Sequence, residues 1–201
     1  MPGNSPLDRN FFLQPTVSVA RDLLGKRVVL RSENNQRLSG FITEAEAYVG
    51  TEDLACHARV GKTQRNAVMW GPAGYAYVYF TYGMHWMLNF VTEKEGFPSA
   101  VLIRGIWPDE GLDEMLHRRP VASLSNLSNG PAKLCQALGI NGRWNGVDLC
   151  GKGAKLFVEE GVNIRMDSIN IGPRVGLNNV PEPWKSKPWR FWVDPSEFEQ
   201  G

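Results

Sequence analysis

Alternating apolar and polar residues, the spacing typical of β-strands, dominate the chain. Between residues 75 and 91, tyrosines alternate with Ala, Val and Phe, and a second alternation follows the break at Tyr82, Gly83 and Met84. These 17 residues carry no formal charge, yet the stretch is too short and too often interrupted by polar residues to span a membrane. The pattern therefore predicts a β-hairpin whose tip is Tyr82 to Met84.

The same reasoning predicts the remaining elements. Strands are expected at 26–31, 38–48 and 100–106, and short helices at 111–119 and 130–139. An earlier amphipathic helix would begin with Thr16 as its N-cap and end at Gly25. The Ser- and Asn-rich stretch 119–129 predicts a mobile surface loop.

Strands outnumber helices, and no βαβ alternation is visible. We therefore expect an α+β fold: a single mixed domain over residues 1–201, built around a curved, open-barrel-like antiparallel sheet with flanking helices and a protruding hairpin. The ends of the chain, outside 11–193, are expected to be less ordered.

Composition narrows the possible functions. With 22 Lys and Arg against 21 Asp and Glu, the net charge is +1, which excludes a protein that coats nucleic acid by bulk charge. Basic stretches at 59–65, 118–143 and 174–190 leave room for local phosphate contacts. Lys133 is a candidate, because free N–H groups in the first turn of a helix favour anions.

Cysteine and histidine usage indicates neither a disulfide framework nor a metal. The three cysteines include no C-x-x-C pair, and the three histidines lack metal-ligand spacing. A reducing, cytosolic compartment fits this usage, and residues 1–6 lack the apolar run of a signal peptide. We expect no metal and no cofactor.

Glu44 and Glu46 are the first candidates for catalysis. A regular strand would place alternate residues from Phe41 to Val49 on an apolar face and would place Ile42, Glu44, Glu46 and Tyr48 on the other. The two carboxylates, about 6.6 Å apart along the strand, suit hydrolysis at a sugar carbon that develops positive charge. A solvated strand edge is the commoner meaning of an isolated E-x-E.

The aromatic residues of the hairpin suggest contact with nucleic-acid bases. Tyr82 and Met84 at the tip form an apolar wedge of the kind that enters a base stack, and Tyr75, Tyr77 and Tyr79 offer a flat surface for a base. A tyrosine ladder packed on a neighbouring strand is equally consistent with the row. Two further functions are open at this point: a carbohydrate hydrolase using Glu44 and Glu46, and a non-catalytic binder of single-stranded nucleic acid.

Eleven short segments occur in a fixed order over about residues 11–193. They are EAEAY at 44–48, ED at 52–53, HAR at 57–59, RN at 65–66, YVY at 77–79, YGM at 82–84, Asn89, LIR at 102–104, GPAKLCQAL at 130–138, RVG at 174–176 and KPWRF at 187–191. The ordered set resembles the alkyladenine (3-methyladenine) DNA glycosylase family, the type that lacks a helix-hairpin-helix motif.

The resemblance implies a monofunctional DNA glycosylase of base excision repair. Such an enzyme flips alkylated, deaminated or etheno purines out of duplex DNA and hydrolyses the N-glycosidic bond, leaving an abasic site. The implied partner is double-stranded DNA containing a damaged purine. We expect a monomer without metal, cofactor or membrane contact, located in the cytoplasm with the nucleoid in a bacterium, or in the nucleus in a eukaryote.

The resemblance also assigns roles by position. Glu46 matches the glutamate that activates a water, Arg104 the arginine that helps to hold it, and a backbone carbonyl near Val175 completes the water site. Tyr48, His57 and Tyr79 match the residues that sandwich the flipped base, Asn89 the residue that crowds the 2-amino group of guanine, and Tyr82 the intercalating tyrosine. Met84 shares the hairpin tip with Tyr82 and is a second candidate for intercalation. Independently of the resemblance, the basic stretches offer possible phosphate contacts at Arg59, Arg65, Lys133, Arg174 and Arg190. Glu44 is given no catalytic role.

Overall fold

A computed structural model describes residues 5–198 as one α+β unit. The expectations for the extreme ends of the chain, at 1–4 and 199–201, lie outside the described residues. The helices are α1 (Arg9–Phe12), α2 (Thr16–Asp22), α3 (Leu112–Arg118) and α4 (Pro131–Leu138). The strands are β1 (Arg27–Arg31), β2 (Arg37–Val49), β3 (Ala76–Thr81), β4 (His85–Val91), β5 (Ser99–Glu110), β6 (Leu156–Glu159), β7 (Asn170–Gly172) and β8 (Arg190–Trp192).

One open antiparallel sheet holds all eight strands. Its main order is β3-β4-β5-β2-β1-β6, with β8 added to β2 and β7 added to β8. The long strand β2 pairs along one edge with β5, and along the other first with β1 and then with β8. The predicted α+β class and antiparallel sheet are confirmed, as is the hairpin, which β3 and β4 form.

Strand β2 contains a bulge that changes which residues face the core. Its register with β5 shifts on both sides of Glu44, so Ile42 and Ala45, an odd number of residues apart, both enter the hydrophobic core. The strict alternation expected for this strand is therefore wrong at Ile42. Glu44 and Glu46 remain together on the side opposite the core.

The helices cover the core side of the sheet. Val19, Ala20 and Leu23 of α2 and its C-terminal turn are buried, as are Leu134 and Leu138 of α4. The helix at 130–139 has Pro131 at its start and ends at Gly139, as predicted. Within residues 5–198, no helix is both long enough and apolar enough to cross a membrane.

Two local predictions need correction. Thr16 lies inside α2, whose N-cap is Pro15, and both its amide and its hydroxyl donate to the carboxylate of Glu93. The stretch 119–129 is not a surface loop throughout: Leu127 and Ser128 are buried, and the Ser128 hydroxyl donates to the carbonyl of Ile106 on β5.

Gly25 provides a test of the α2–β1 connection. Its backbone has φ +78°, and a Cβ atom there would lie 2.4 Å from the carbonyl oxygen of Val162. We expect Gly25→Ala to lower the free energy of unfolding by about 3 kcal/mol, since left-handed strain adds to an unavoidable backbone clash. Gly153→Ala is the matched control, because Gly153 has the same φ with open space around it, and it should cost about 1 kcal/mol. Equal losses in urea unfolding would contradict the clash.

Candidate active site

A cavity of about 340 Å³ opens between the β3–β4 hairpin, β5 and the segment at 174–177. Its size is typical of pockets for small molecules. Aromatic rings provide much of its wall, with a few polar groups at its inner end. The side chains and backbone that line it include Tyr48, His57, Met69, Tyr77, Tyr79, Tyr82, Asn89, Leu102, Arg104 and Val175.

Glu46 lies directly behind this cavity. Its carboxylate is fully buried, and three groups that line the cavity surround it. Oε1 accepts a hydrogen bond from the Val175 amide at 2.7 Å and lies 3.3 Å from Nε of Arg104, while Oε2 accepts from the Tyr48 hydroxyl at 2.8 Å. Burial raises the pKa of Glu46 above its usual value, although Arg104 and the two donors oppose that rise.

Glu44 shares the same arginine. Its Oε1 accepts from Nε of Arg104 at 2.7 Å and from Nε of Arg190 at 2.6 Å. Two carboxylates and two guanidinium groups therefore alternate across β5, β2 and β8. The E-x-E motif is consequently not a solvated strand edge.

Tyr77 and Tyr79 of β3, with His57, form the aromatic wall. The His57 ring stands nearly edge-on to Tyr79, with 4.5 Å between centroids, and its Nδ1 lies 3.0 Å from the Tyr77 hydroxyl. Burial, with a smaller contribution from nearby arginines, lowers the pKa of His57 to about 4, so the imidazole is neutral at physiological pH. Tyr75 lies apart from the cavity lining, with the Arg9 guanidinium 5.3 Å from its ring centroid.

Asn89 is fixed within the cavity by the strand opposite. Its Nδ2 donates to the backbone carbonyl of Tyr77 at 3.0 Å, and the residue is almost fully buried. Because β3 and β4 pair Tyr77 with Asn89, the hairpin register determines where this amide lies.

The hairpin tip exposes its apolar residues. Tyr82 is 85% exposed and Met84 68% exposed. Tyr82 has φ +52° and Gly83 φ +67°, and a left-handed backbone is unusual for a tyrosine. The turn therefore holds the Tyr82 ring at the mouth of the cavity despite a local conformational cost.

The candidate phosphate contacts differ in how far their side chains are exposed to solvent. Arg59 and Arg65 are exposed, and the Arg65 guanidinium lies 5.1 Å from the Tyr79 ring centroid. Lys133 is half-buried, and its Nζ donates to Oδ1 of Asn129 at 2.6 Å. Arg190 is partly covered and paired with Glu44. Arg174 is a correction: its guanidinium is buried against Asp53 and cannot reach a phosphate on the surface.

Val175 makes a contact that the resemblance did not imply. Its amide N–H donates to the Glu46 carboxylate, while the carbonyl near Val175 as part of a water site stays a prediction. A main-chain donor leaves no trace in the side-chain sequence.

Asp53 is the residue that sequence reasoning left without a role. Both of its carboxylate oxygens face the Arg174 guanidinium, and both side chains are completely buried. An aspartate that follows Gly50 and Thr51 looks like an ordinary turn residue, so its only signal was its place in a family segment. Residues 5–198 contain no cluster of three His, Cys, Asp or Glu side chains able to hold a metal ion.

Comparison with known proteins finds one family over most of the chain. The methylpurine-DNA glycosylase (MPG) family profile matches residues 10–197. A "Putative 3-methyladenine DNA glycosylase" from Methanocella arvoryzae is 46% identical over 187 residues, covering 92% of this chain and 91% of the relative. Proteins of the same name from Prosthecochloris aestuarii and Myxococcus xanthus are 46% and 40% identical, covering 94% and 95% of this chain and 88% and 91% of the relatives.

The buried charge of Glu46 predicts an unusual gain in stability on its removal. A carboxyl group whose folded pKa lies above its ordinary value of 4.5 contributes stability that is fully present below that value and is lost as the pH rises through the folded pKa. We expect Glu46→Gln to raise the free energy of unfolding by about 1 kcal/mol at pH 8, with a smaller gain at pH 5.

Glu159→Gln is the matched control for this comparison. The Glu159 carboxylate is also buried but pairs with Arg27 and Arg37, so removing its charge should cost about 3 kcal/mol. Urea unfolding at the two pH values measures both variants, and a loss of stability in Glu46→Gln would contradict the argument.

Proposed function

The chain belongs to the methylpurine-DNA glycosylase family, and from that premise we propose that it removes damaged purines from duplex DNA by hydrolysing their N-glycosidic bonds. The observation that carries the proposal is the buried carboxylate of Glu46 behind an aromatic cavity whose mouth lies beside an exposed tyrosine. The products are a free base and an abasic site. No cofactor is required, and we propose that a monomer acts.

The cavity is proposed to receive a purine that has left the double helix. A glycosidic bond inside duplex DNA is inaccessible, so the nucleotide must be extruded at a cost of a few kcal/mol. Stacking against Tyr48, His57 and Tyr79 would offset about 1–3 kcal/mol of that cost. Since His57 is neutral at physiological pH, its ring does not repel a purine made cationic by alkylation.

The hairpin tip is proposed to hold the duplex open. Tyr82 is already exposed and fixed beside the cavity, so it can occupy the gap in the base stack without rearrangement of a core. Met84 presents a second apolar side chain from the same turn.

Glu46 is proposed to act as the general base. The carboxylate accepts a proton from a water, the water oxygen bonds to C1′ of the sugar, and the electrons of the breaking C–N bond leave with the purine. A purine alkylated at N3 or N7 is already cationic and needs no acid. Arg104 and the main chain at Val175 lie where they can help to place that water, because both contact Glu46 and both line the cavity.

Asn89 is proposed to exclude normal guanine. Its amide is anchored to the Tyr77 carbonyl within the cavity, so a purine carrying a 2-amino group would meet a group that cannot move aside. Alkylated, deaminated and etheno purines that lack the 2-amino group would remain substrates. Arg59, Arg65 and Lys133 are the proposed phosphate contacts: the two arginines are exposed, and Lys133 is partly exposed in the first turn of α4.

The two rival functions have less support. A carbohydrate hydrolase would need Glu44 as its second carboxylate, but Glu44 is occupied by two arginines on the same side as Glu46. A non-catalytic binder of single strands leaves unexplained why the chain buries the charge of Glu46.

Base release from a defined lesion tests the proposal. The protein is incubated with duplexes that each carry one 3-methyladenine analogue, ethenoadenine or hypoxanthine, and abasic sites are cleaved with alkali. We expect release from at least one duplex. Glu46→Gln should slow release by about a thousandfold through loss of the general base, with the affinity for lesion DNA little changed.

Glu95→Gln, the same chemical change at an exposed position, is the control and should leave release unchanged. If folded wild-type protein releases none of the bases, the glycosylase proposal fails. If Glu46→Gln remains active, the assignment of the base is wrong.

Replacement of Tyr82 tests the intercalation proposal. We expect Tyr82→Asn, which tolerates the left-handed backbone of the turn, to slow release from a fully paired duplex by about tenfold and to change the free energy of unfolding by less than about 0.5 kcal/mol. The same lesion in a single strand needs no wedge and should be processed at the wild-type rate. Equal losses on both substrates would contradict a role in holding the duplex open.

A further inference from the structure

The Asp53–Arg174 ion pair is the most deeply buried charge pair of the described chain. Nη1 of Arg174 contacts Oδ2 of Asp53, and Nη2 contacts Oδ1 at 2.9 Å, so the two planar groups meet in a forked arrangement. The guanidinium also donates to the backbone carbonyls of Ala47 and Trp184. This geometry fixes both the position and the orientation of the Arg174 side chain.

Arg174 is connected to both oxygens of Glu46. The next residue in the chain, Val175, donates its amide to Oε1. The guanidinium itself lies 4.7 Å from the ring centroid of Tyr48, and the hydroxyl of that ring donates to Oε2. Displacement of Arg174 would therefore disturb both hydrogen bonds of the carboxylate.

Asp53 connects the pair to the aromatic wall of the cavity. Its carboxylate accepts from the amides of Val49, the residue after Tyr48, and of Ala55. Its backbone carbonyl accepts from the amide of Cys56, which precedes His57. The position of the loop that carries His57 therefore depends on the same aspartate.

The energetic balance argues that stability alone does not account for this pair. Two fully desolvated charges gain little over apolar residues of similar volume, because the cost of removing them from water offsets much of their attraction. What the forked pair provides is a fixed geometry for three separate segments, around residues 48, 53–57 and 174–175, that meet at the cavity.

We propose that Asp53 and Arg174 are positioning residues of the glycosylase reaction, which hold the general base Glu46 and the base-stacking residues Tyr48 and His57 in their working arrangement. The proposal rests on the proposed function. Neither residue touches the substrate. Their effect is transmitted through Val175 and Tyr48, and a displacement of about 1 Å at a reacting group is enough to cost about a hundredfold in rate.

The test compares Asp53→Asn and Arg174→Lys with the wild-type enzyme in single-turnover base release on an ethenoadenine or hypoxanthine duplex. Asp53→Asn keeps the shape of the side chain and removes its charge, while Arg174→Lys keeps the charge and removes the fork. We expect release to slow by about a hundredfold in both variants. The pH at which the rate is half-maximal should rise, because weaker hydrogen bonds to the Glu46 carboxylate raise its pKa.

Glu159→Gln is again the control. Glu159 pairs with Arg27 opposite Phe41, about 16 Å along β2 from Glu46, so this variant loses stability through a distant buried pair. It should keep the wild-type rate and pH profile below its melting temperature. Wild-type rates and an unchanged pH midpoint in the two Asp53 and Arg174 variants would overturn the inference.

A double variant covers the case in which the single substitutions prevent folding. Asp53→Asn with Arg174→Gln leaves no unpaired buried charge and should recover stability, yet it should stay slow because the fork and the contact with Tyr48 are gone. A rate that recovers together with stability would overturn the inference. The proposed function is tested separately, since it fails only if the wild-type protein releases no base from any of the lesion duplexes.

Discussion

The burial of one negative charge, the carboxylate of Glu46, is the constraint on which the rest of the site depends. A desolvated carboxylate favours its protonated form unless charge and hydrogen-bond donors compensate. Val175 and Tyr48 supply the donors and Arg104 supplies the charge. The compensation is incomplete, because the pKa of Glu46 stays raised. A carboxylate held in this way is a stronger base than a solvated one and is poised to accept a proton.

The bulge in β2 makes this arrangement possible. It directs Ile42 and Ala45 to the core and leaves Glu44 and Glu46 facing the site. Because β2 changes partner from β1 to β8 at this point, Arg190 on β8 arrives beside Glu44. A second cation there allows Arg104 to lie between two carboxylates. A regular strand with one partner on this edge would supply neither feature.

Local patterns in the sequence were sufficient for part of this structure. The hairpin, α4 and most strands follow from alternation and from glycine and proline positions, since each depends on neighbouring residues. The bulge at Glu44 depends on register against β5, and the burial of Ser128 depends on its hydrogen bond to Ile106. Predicting such features requires knowing which residue, distant in the sequence, lies opposite in the fold.

The candidate site, too, could be predicted from the sequence only in part. Family segments pointed to Glu46, Tyr79 and Tyr82, whose places in the structure are consistent with the implied roles. They did not show that Val175 contributes an amide. The basic stretch at 174–190 suggested a phosphate contact for Arg174, which instead pairs with Asp53 inside the protein. Basic residues that lie close together in the sequence need not share a surface, because one of them can be buried in an ion pair with a carboxylate from another segment.

The pairing of charges inside the protein explains how a net charge of +1 can accompany local positive charge at the surface. Acidic residues such as Asp53, Glu44 and Glu159 are committed to arginines within or at the edge of the fold. Among the described residues, no carboxylate lies within ion-pair distance of the exposed Arg59 and Arg65 or of the partly exposed Lys133. The sum over the chain is therefore near zero because internal pairs cancel, while the field outside the protein depends on the cations left over. A protein that binds one nucleotide in an aromatic cavity needs only a local excess of positive charge. A net charge near zero is therefore compatible with binding DNA at one site.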